Sequence, residues 1–112
     1  MNTERVDYLT DILRNPEAEF GDRDDAAIAL ASHDEQEALA ALSIIGSDSS
    51  TDPELADTCG ESIAEIWSRH GVVDQSTLQR LTGVARTVAL RTLKALSPDL
   101  AEDLSRRGVE IP

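Results

Sequence analysis

Apolar residues recur along the chain at intervals of three and four, the spacing that places them on one face of an α-helix. Thr3 opens a first segment in which Val6, Leu9, Ile12 and Leu13 keep that period. It closes before Asn15 and Pro16, because the residue ahead of a proline is pushed out of the α region. Beyond Pro16 to Phe20 and Gly21, Asp22 is placed to cap a second helix reaching about Ser32, with Ala26, Ala27 and Leu30 as a small-residue packing face. Asp34 starts a third: with Glu37 it forms a capping-box-like pair ahead of Ala38, Leu39, Leu42 and Ile45, and Gly46 stops it. So few residues separate the second and third segments that they are expected to fold back on one another as a hairpin.

Ser47 to Thr51 is polar and reads as a loop, and Asp52 followed by Pro53 is a strong start signal, an N-cap and then proline in the first turn. The longest helix follows, to about His70, with Gly71 placed to end it in a left-handed conformation. Asp74 caps a shorter helix holding Leu78 and Leu81. Thr82 and Gly83 break it, and Val84 to Leu96 resumes with enough apolar residues round its circumference to be largely buried. Ser97 and Pro98 repeat the cap-plus-proline start for a last helix over Leu100 to Arg107, stopped by Gly108; Val109 to Pro112 reads as a tail.

The helix starts near Asp22, Asp52 and Gly83 lie about 30 residues apart, a period that marks helical arrays. Small residues recur in register within them: Asp25-Ala26-Ala27-Ile28-Ala29-Leu30, then Leu55-Ala56 with Cys59-Gly60 and Ser62-Ile63, then Val84-Ala85 with Val88-Ala89-Leu90. On these residues the chain, over roughly 22–107, resembles short HEAT-like repeats of the kind found in phycobilisome-lyase-type proteins. That resemblance implies an all-α fold, a short α-solenoid of stacked antiparallel helix hairpins; the length of 112 residues suits one domain, over 1–112. An irregular helical bundle is the alternative.

Composition narrows the function classes. Ala, Leu, Ile and Val supply most of the apolar residues and Tyr8, Phe20 and Trp67 are the only aromatics, which favours close helix packing. A net charge of −12 repels phosphate backbones and anionic lipid on average, so direct nucleic-acid or membrane binding is not expected. Cys59 is the single cysteine, which excludes an intramolecular disulfide and suits a reducing compartment. With no basic-then-apolar leader at Met1 to Asp7 and no apolar run near the ~18 residues of a membrane span, the expected location is the cytoplasm.

Catalytic chemistry finds little footing. His33 precedes a helix start and His70 sits in a last turn, where the helix dipole favours it; neither has a ligand partner at metal-binding spacing. There is no phosphate-binding glycine loop, nucleophile elbow or zinc-protease motif, and Gly21-Asp22-Arg23-Asp24-Asp25 lacks the alternating oxygens, central glycine and closing glutamate of a calcium loop. No catalytic residue, metal or cofactor is therefore assigned. Trp67, at helical spacing from Ile63, reads either as core or as an interface anchor.

Charge distribution is the informative feature. Residues 1–65 hold 17 acids and 3 bases, net −14, whereas 66–112 hold 5 acids and 7 bases, net +2. On the long helix Glu54, Asp57, Glu61 and Glu65 fall within about 80° of one another, opposite Leu55, Cys59, Ile63 and Ile66. Asp57 with Glu61 and Glu61 with Glu65 are like charges at i, i+4, and each pair costs a few tenths of a kcal/mol. Solubility alone is one reason for such a surface. A basic protein partner, met by this stripe together with Asp22, Asp24, Asp25 and Trp67, is the other. By charge, size and helical content the chain is similar to bacterial immunity proteins that neutralise nuclease toxins, including those of contact-dependent growth inhibition. That likeness implies an antitoxin with a basic toxin as its partner. A HEAT-like interaction adaptor unrelated to toxins, or an enzyme subunit that positions a cofactor or substrate, are the rival readings. A monomer is expected, with Trp67 and Phe20 the aromatics that a hidden apolar interface would use.

Overall fold

Capping and apolar signals translate into helices along most of the chain. The computed structural model describes residues 4–112, so the opening position expected for Thr3 lies outside the described residues. Among them there are seven helices and no strand: α1 (Glu4–Arg14), α2 (Phe20–Leu30), α3 (Gln36–Gly46), α4 (Pro53–His70), α5 (Gln75–Arg80), α6 (Gly83–Leu96) and α7 (Pro98–Arg106). The Asp52 carboxylate accepts from Glu54 N at 2.8 Å with Pro53 in the first turn, and Gly71 closes α4 at φ +73°, donating to Trp67 O. Asp74 likewise caps α5 by accepting from Ser76 N.

Where helix ends differ from expectation, a tertiary contact has displaced a local one. Asp34 does not cap α3, which begins two residues later without a side-chain cap. Its carboxylate is drawn to Arg69 and His70 at the end of α4, at 2.9 Å from each, and Arg69 also donates to Ala31 O and His33 O. The Arg69 guanidinium and the His70 ring together outcompete a single backbone N–H. Asp22 is not the cap of α2 but lies inside its first turn, where a carboxylate suits the helix dipole. Gly46 is the last residue of α3, yet its φ is not positive; a Cβ there would come within 2.9 Å of Leu81 and 3.2 Å of Ala85. Its smallness serves packing. The apolar arc of α6 is also narrower than expected: Ala85, Val88, Ala89, Leu90 and Leu93 are buried, while Val84, Ala95 and Leu96 are exposed.

The expected α2/α3 hairpin gives way to a different pairing. α1 and α2 form the antiparallel hairpin, fastened where Arg23 Nε donates to Leu13 O at 2.9 Å, while α3 packs on α4 and α1 and only brushes α2. Next to α2 runs α4, in the same direction: Thr58 meets Asp24, Ser62 Oγ donates to Ala27 O at 2.9 Å in the interior, and Arg69 reaches Ala31 O. α6 is parallel to α4 in turn, since Gly60 abuts Ala85 to Ala89 and the Ser68 and Ser97 hydroxyls bond at 2.5 Å. α2, α4 and α6 thus make one parallel layer, and α1, α3 and α5 touch one another in sequence behind it. The smallest dimension, 21 Å, is the thickness of two helices.

The α4/α6 contact is the tightest in this layer. Ala56, Gly60 and Ala64 lie one turn apart on α4 and face Ala85 and Ala89 of α6, all five buried. A Cβ on Gly60 would stand 2.5 Å from Ala85 O and 3.1 Å from Ala89 N, backbone atoms that can yield only by moving the helix. Gly60→Ala is therefore expected to destabilise by about 1–3 kcal/mol even though alanine is the better helix former. Gly21→Ala, in α2 with nothing within 4 Å of the new methyl, should stabilise by about 0.5–1 kcal/mol. Urea melts of the two variants read the difference directly, and equal effects would show that α4 and α6 do not approach so closely.

Candidate functional site

The outer surface of α4 carries the acidic stripe. Leu55, Cys59, Ile63 and Ile66 turn inward and are buried, which leaves Glu54, Glu61 and Glu65 exposed and Asp57 half-buried on the opposite side. Because α2 lies alongside in parallel, Asp24 joins this row: its Oδ1 accepts from Thr58 Oγ1, which also donates to Glu54 O at 3.1 Å. A side-chain hydrogen bond with Asp57 raises the Glu61 carboxyl above its ordinary range, with partial burial and the charges of Asp57, Glu65 and Asp24 adding to it. Glu61 stands where carboxylates gather, and no ion pair among the described residues engages them.

That lack of ion pairs is local. Elsewhere some bases do meet carboxylates: Arg69 and His70 with Asp34, Arg106 with Glu102 at 2.6 Å, Arg107 with Asp103 at 3.2 Å. Arg23, next to Asp24 in sequence, donates from Nε to the Leu13 carbonyl on α1. Among the described residues no ion pair involves Glu54, Asp57, Glu61, Glu65 or Asp24.

Two of the expected contact groups lie elsewhere. Trp67 is 1 % exposed, packed into the core, so an indole meeting a partner is corrected to a core residue. Asp22 and Asp25 do not extend the stripe. They line a separate groove of about 700 Å³ between α1 and α2, with Asp11, Tyr8, Ile12 and Arg5, whose guanidinium sits 5.8 Å from the Tyr8 ring. At 100° per residue, Asp24 points to α4 while its neighbours at 22 and 25 point to α1. Acids adjacent in sequence are divided between two surfaces.

Two apolar residues beside the stripe were not singled out by the sequence as its companions. Phe20 and Ile28 are 43 % and 56 % exposed, one turn before and one turn after Asp24 on α2. The sequence places Phe20 in the stretch ahead of Asp22, outside the second helix and as an aromatic for a hidden apolar interface, so its i, i+4, i+8 relation to Asp24 and Ile28 emerges only because α2 begins at Phe20.

The remaining candidate groups are quiet. Cys59 is fully buried and its thiol is pushed up to about 12, chiefly by burial and secondarily by Asp24, which makes it a poor nucleophile. His33 Nδ1 lies 3.7 Å from Glu35 and His70 is bound to Asp34. Among the described residues no three His, Cys, Asp or Glu side chains are arranged to hold a metal ion, and no helix is long and apolar enough to cross a membrane. No protein-family model, curated protein or solved structure matches the chain.

The Glu61 environment has a pH signature. A folded carboxyl raised above its ordinary 4.5 keeps its proton over a range where the unfolded chain has lost it, so stability falls as pH rises through that window. Glu61→Gln removes the repulsion while keeping a partner for Asp57, and at neutral pH it should stabilise by a few tenths of a kcal/mol. In thermal melts the advantage should shrink as pH drops below 4.5. An advantage independent of pH would show that charge is not its source.

Proposed function

We propose that this protein acts by binding, and that the face made by Asp24, Glu54, Asp57, Glu61 and Glu65 docks on a basic protein. In this reading the partner is a nuclease toxin and the chain is its antitoxin. One observation carries it: Asp24 of α2 and Glu54, Asp57, Glu61 and Glu65 of α4 share one face, and among the described residues none of the five is in an ion pair, whereas Arg69, Arg106 and Arg107 elsewhere each meet a carboxylate. Clustered like charges weaken the free protein, so a surface that keeps them is best explained by a complement that neutralises them. A nuclease must present cations to hold a phosphate backbone. A rigid row of carboxylates, one turn or about 6 Å apart, offers that same surface an alternative occupant.

The parallel layer of α2, α4 and α6 backed by α1, α3 and α5 supports reading the architecture as a short HEAT-like stack, whose outer layer presents a stiff, preformed docking face. Rigidity matters here, because a preorganised surface spends little of its binding free energy on ordering. No residue of the chain is assigned a catalytic role, and the working location is the cytoplasm, where a nuclease toxin would act.

The test uses the protein encoded immediately beside this chain, the natural place for a cognate toxin. Co-expression should protect cells from it, and association measured by stopped flow should slow steeply with added salt. Glu61→Lys with Glu65→Lys is expected to reduce the association rate roughly tenfold or more at low ionic strength. Asp99→Lys with Glu110→Lys makes the same charge change on exposed residues remote from the stripe, and should stay within about twofold. Equal rates and equal salt dependence for the two variants would reduce the stripe to a solvated surface and overturn the reading.

A further inference from the structure

The acidic face has an apolar edge. Phe20, Asp24 and Ile28 form one ridge of α2, and the parallel register with α4 sets Asp24 opposite Thr58 and Ala27 opposite Ser62. Phe20 therefore lies level with Glu54, and Ile28 level with the interval between Glu61 and Glu65. Two large apolar side chains, about half exposed, border a row of unpaired carboxylates.

Solubility explains carboxylates at a surface but not apolar groups set among them, since exposed apolar area beside unpaired charge improves neither solubility nor packing. Eight residues separate Phe20 from Ile28, and eight separate Asp57 from Glu65, so each row is about 12 Å long. The rows belong to neighbouring helices, whose axes pack about 8–10 Å apart. A third helix laid along this furrow would meet Phe20 and Ile28 with apolar residues seven or eight positions apart, while Lys or Arg on its adjoining flank met Asp57, Glu61 and Glu65.

We infer that the Phe20–Asp24–Ile28 ridge and the Asp57–Glu61–Glu65 row together form a docking furrow for a basic amphipathic helix of the partner. This rests on the basic-partner reading above and specifies the form in which the partner's charge arrives. Charge complementarity selects the occupant. A second copy would bring its own net charge of −12 against the same carboxylates, an anionic lipid surface is repelled likewise, and an uncharged apolar segment would leave the carboxylates desolvated and unanswered. Apolar contacts at the ridge act mainly on the lifetime of the complex, and the carboxylate row on the rate of encounter.

The probe is a synthetic helix of about 18 residues with leucine on one face and lysine on the other, beside a version with glutamate in place of lysine, both titrated into the ¹⁵N-labelled full chain. Amide shifts on lysine-peptide binding should concentrate at Phe20–Ile28 and Asp57–Glu65, and the glutamate peptide should not bind. At roughly 0.15 M salt, where the screening length is about 8 Å, Phe20→Ser with Ile28→Asp should weaken binding at least about tenfold. Both side chains are substantially exposed, so circular dichroism should report an unchanged fold. Glu61→Lys with Glu65→Lys should weaken binding as well, more at low salt than at high. Shifts spread evenly over the surface, or gathered in the α1/α2 groove, would overturn the furrow. Loss confined to the Glu61/Glu65 variant overturns the apolar ridge and leaves the acidic face standing. Loss confined to the Phe20/Ile28 variant supports the ridge and overturns the acidic reading.

Discussion

The close approach of α4 to α6 at Gly60 governs the rest of the molecule. Once a glycine meets the Ala85 carbonyl and the Ala89 amide at less than the room a methyl would need, the rotation of α4 about its axis is fixed. Ile63, Ile66 and Trp67 then point into the core, and Glu54, Asp57, Glu61 and Glu65 can only point out. The same rotation turns Thr58 and Ser62 toward α2 and brings in Asp24. Alanines opposite the glycine keep the contact close along the length of the helix, so the packing constraint and the charge arrangement are two consequences of one geometry.

Electrostatics works against the fold on this face and for it at the end of α4. Arg69 gathers the Asp34 carboxylate and two carbonyls of the α2–α3 connection, and His70 shares the same carboxylate. The result is a clasp holding the two parallel helices at their C-terminal ends. At the other end no ion pair among the described residues engages Asp24, Asp57 or Glu61, and a hydrogen bond with Asp57, then burial and the neighbouring carboxylates, raises the Glu61 carboxyl. Proteins place opposite charges at i, i+4 readily, so an uncompensated stripe beside exposed Phe20 and Ile28 marks the part of the surface where folding is not the only demand on the sequence.

How much of this was legible in the sequence depends on the range of the interaction. Asp52-Pro53, Gly71 and Asp74 announced their helix ends because caps act within one turn. The stripe on α4 could be read from its 100° periodicity alone. Asp34 misled because its neighbour Glu37 completes a local capping pattern, while the partners that won it, Arg69 and His70, lie 35 and 36 residues away. The pairing of α2 with α1, and the separation of Asp24 from Asp22 and Asp25, depend on which helices become neighbours. Trp67 was ambiguous for the same reason: only the presence of α6 and the second layer decides that its side of α4 is interior.

The outer face of α4 holds a set of carboxylates close together with no ion pair to them among the described residues. Carboxyl ¹³C titration of the folded chain measures it most directly, by following Glu61 through acid pH. The Glu61 signal is expected to titrate above the ordinary glutamate range and to return toward it as salt is added. Titration of Glu61 within the ordinary glutamate range, insensitive to salt, would contradict the crowding of carboxylates on this face.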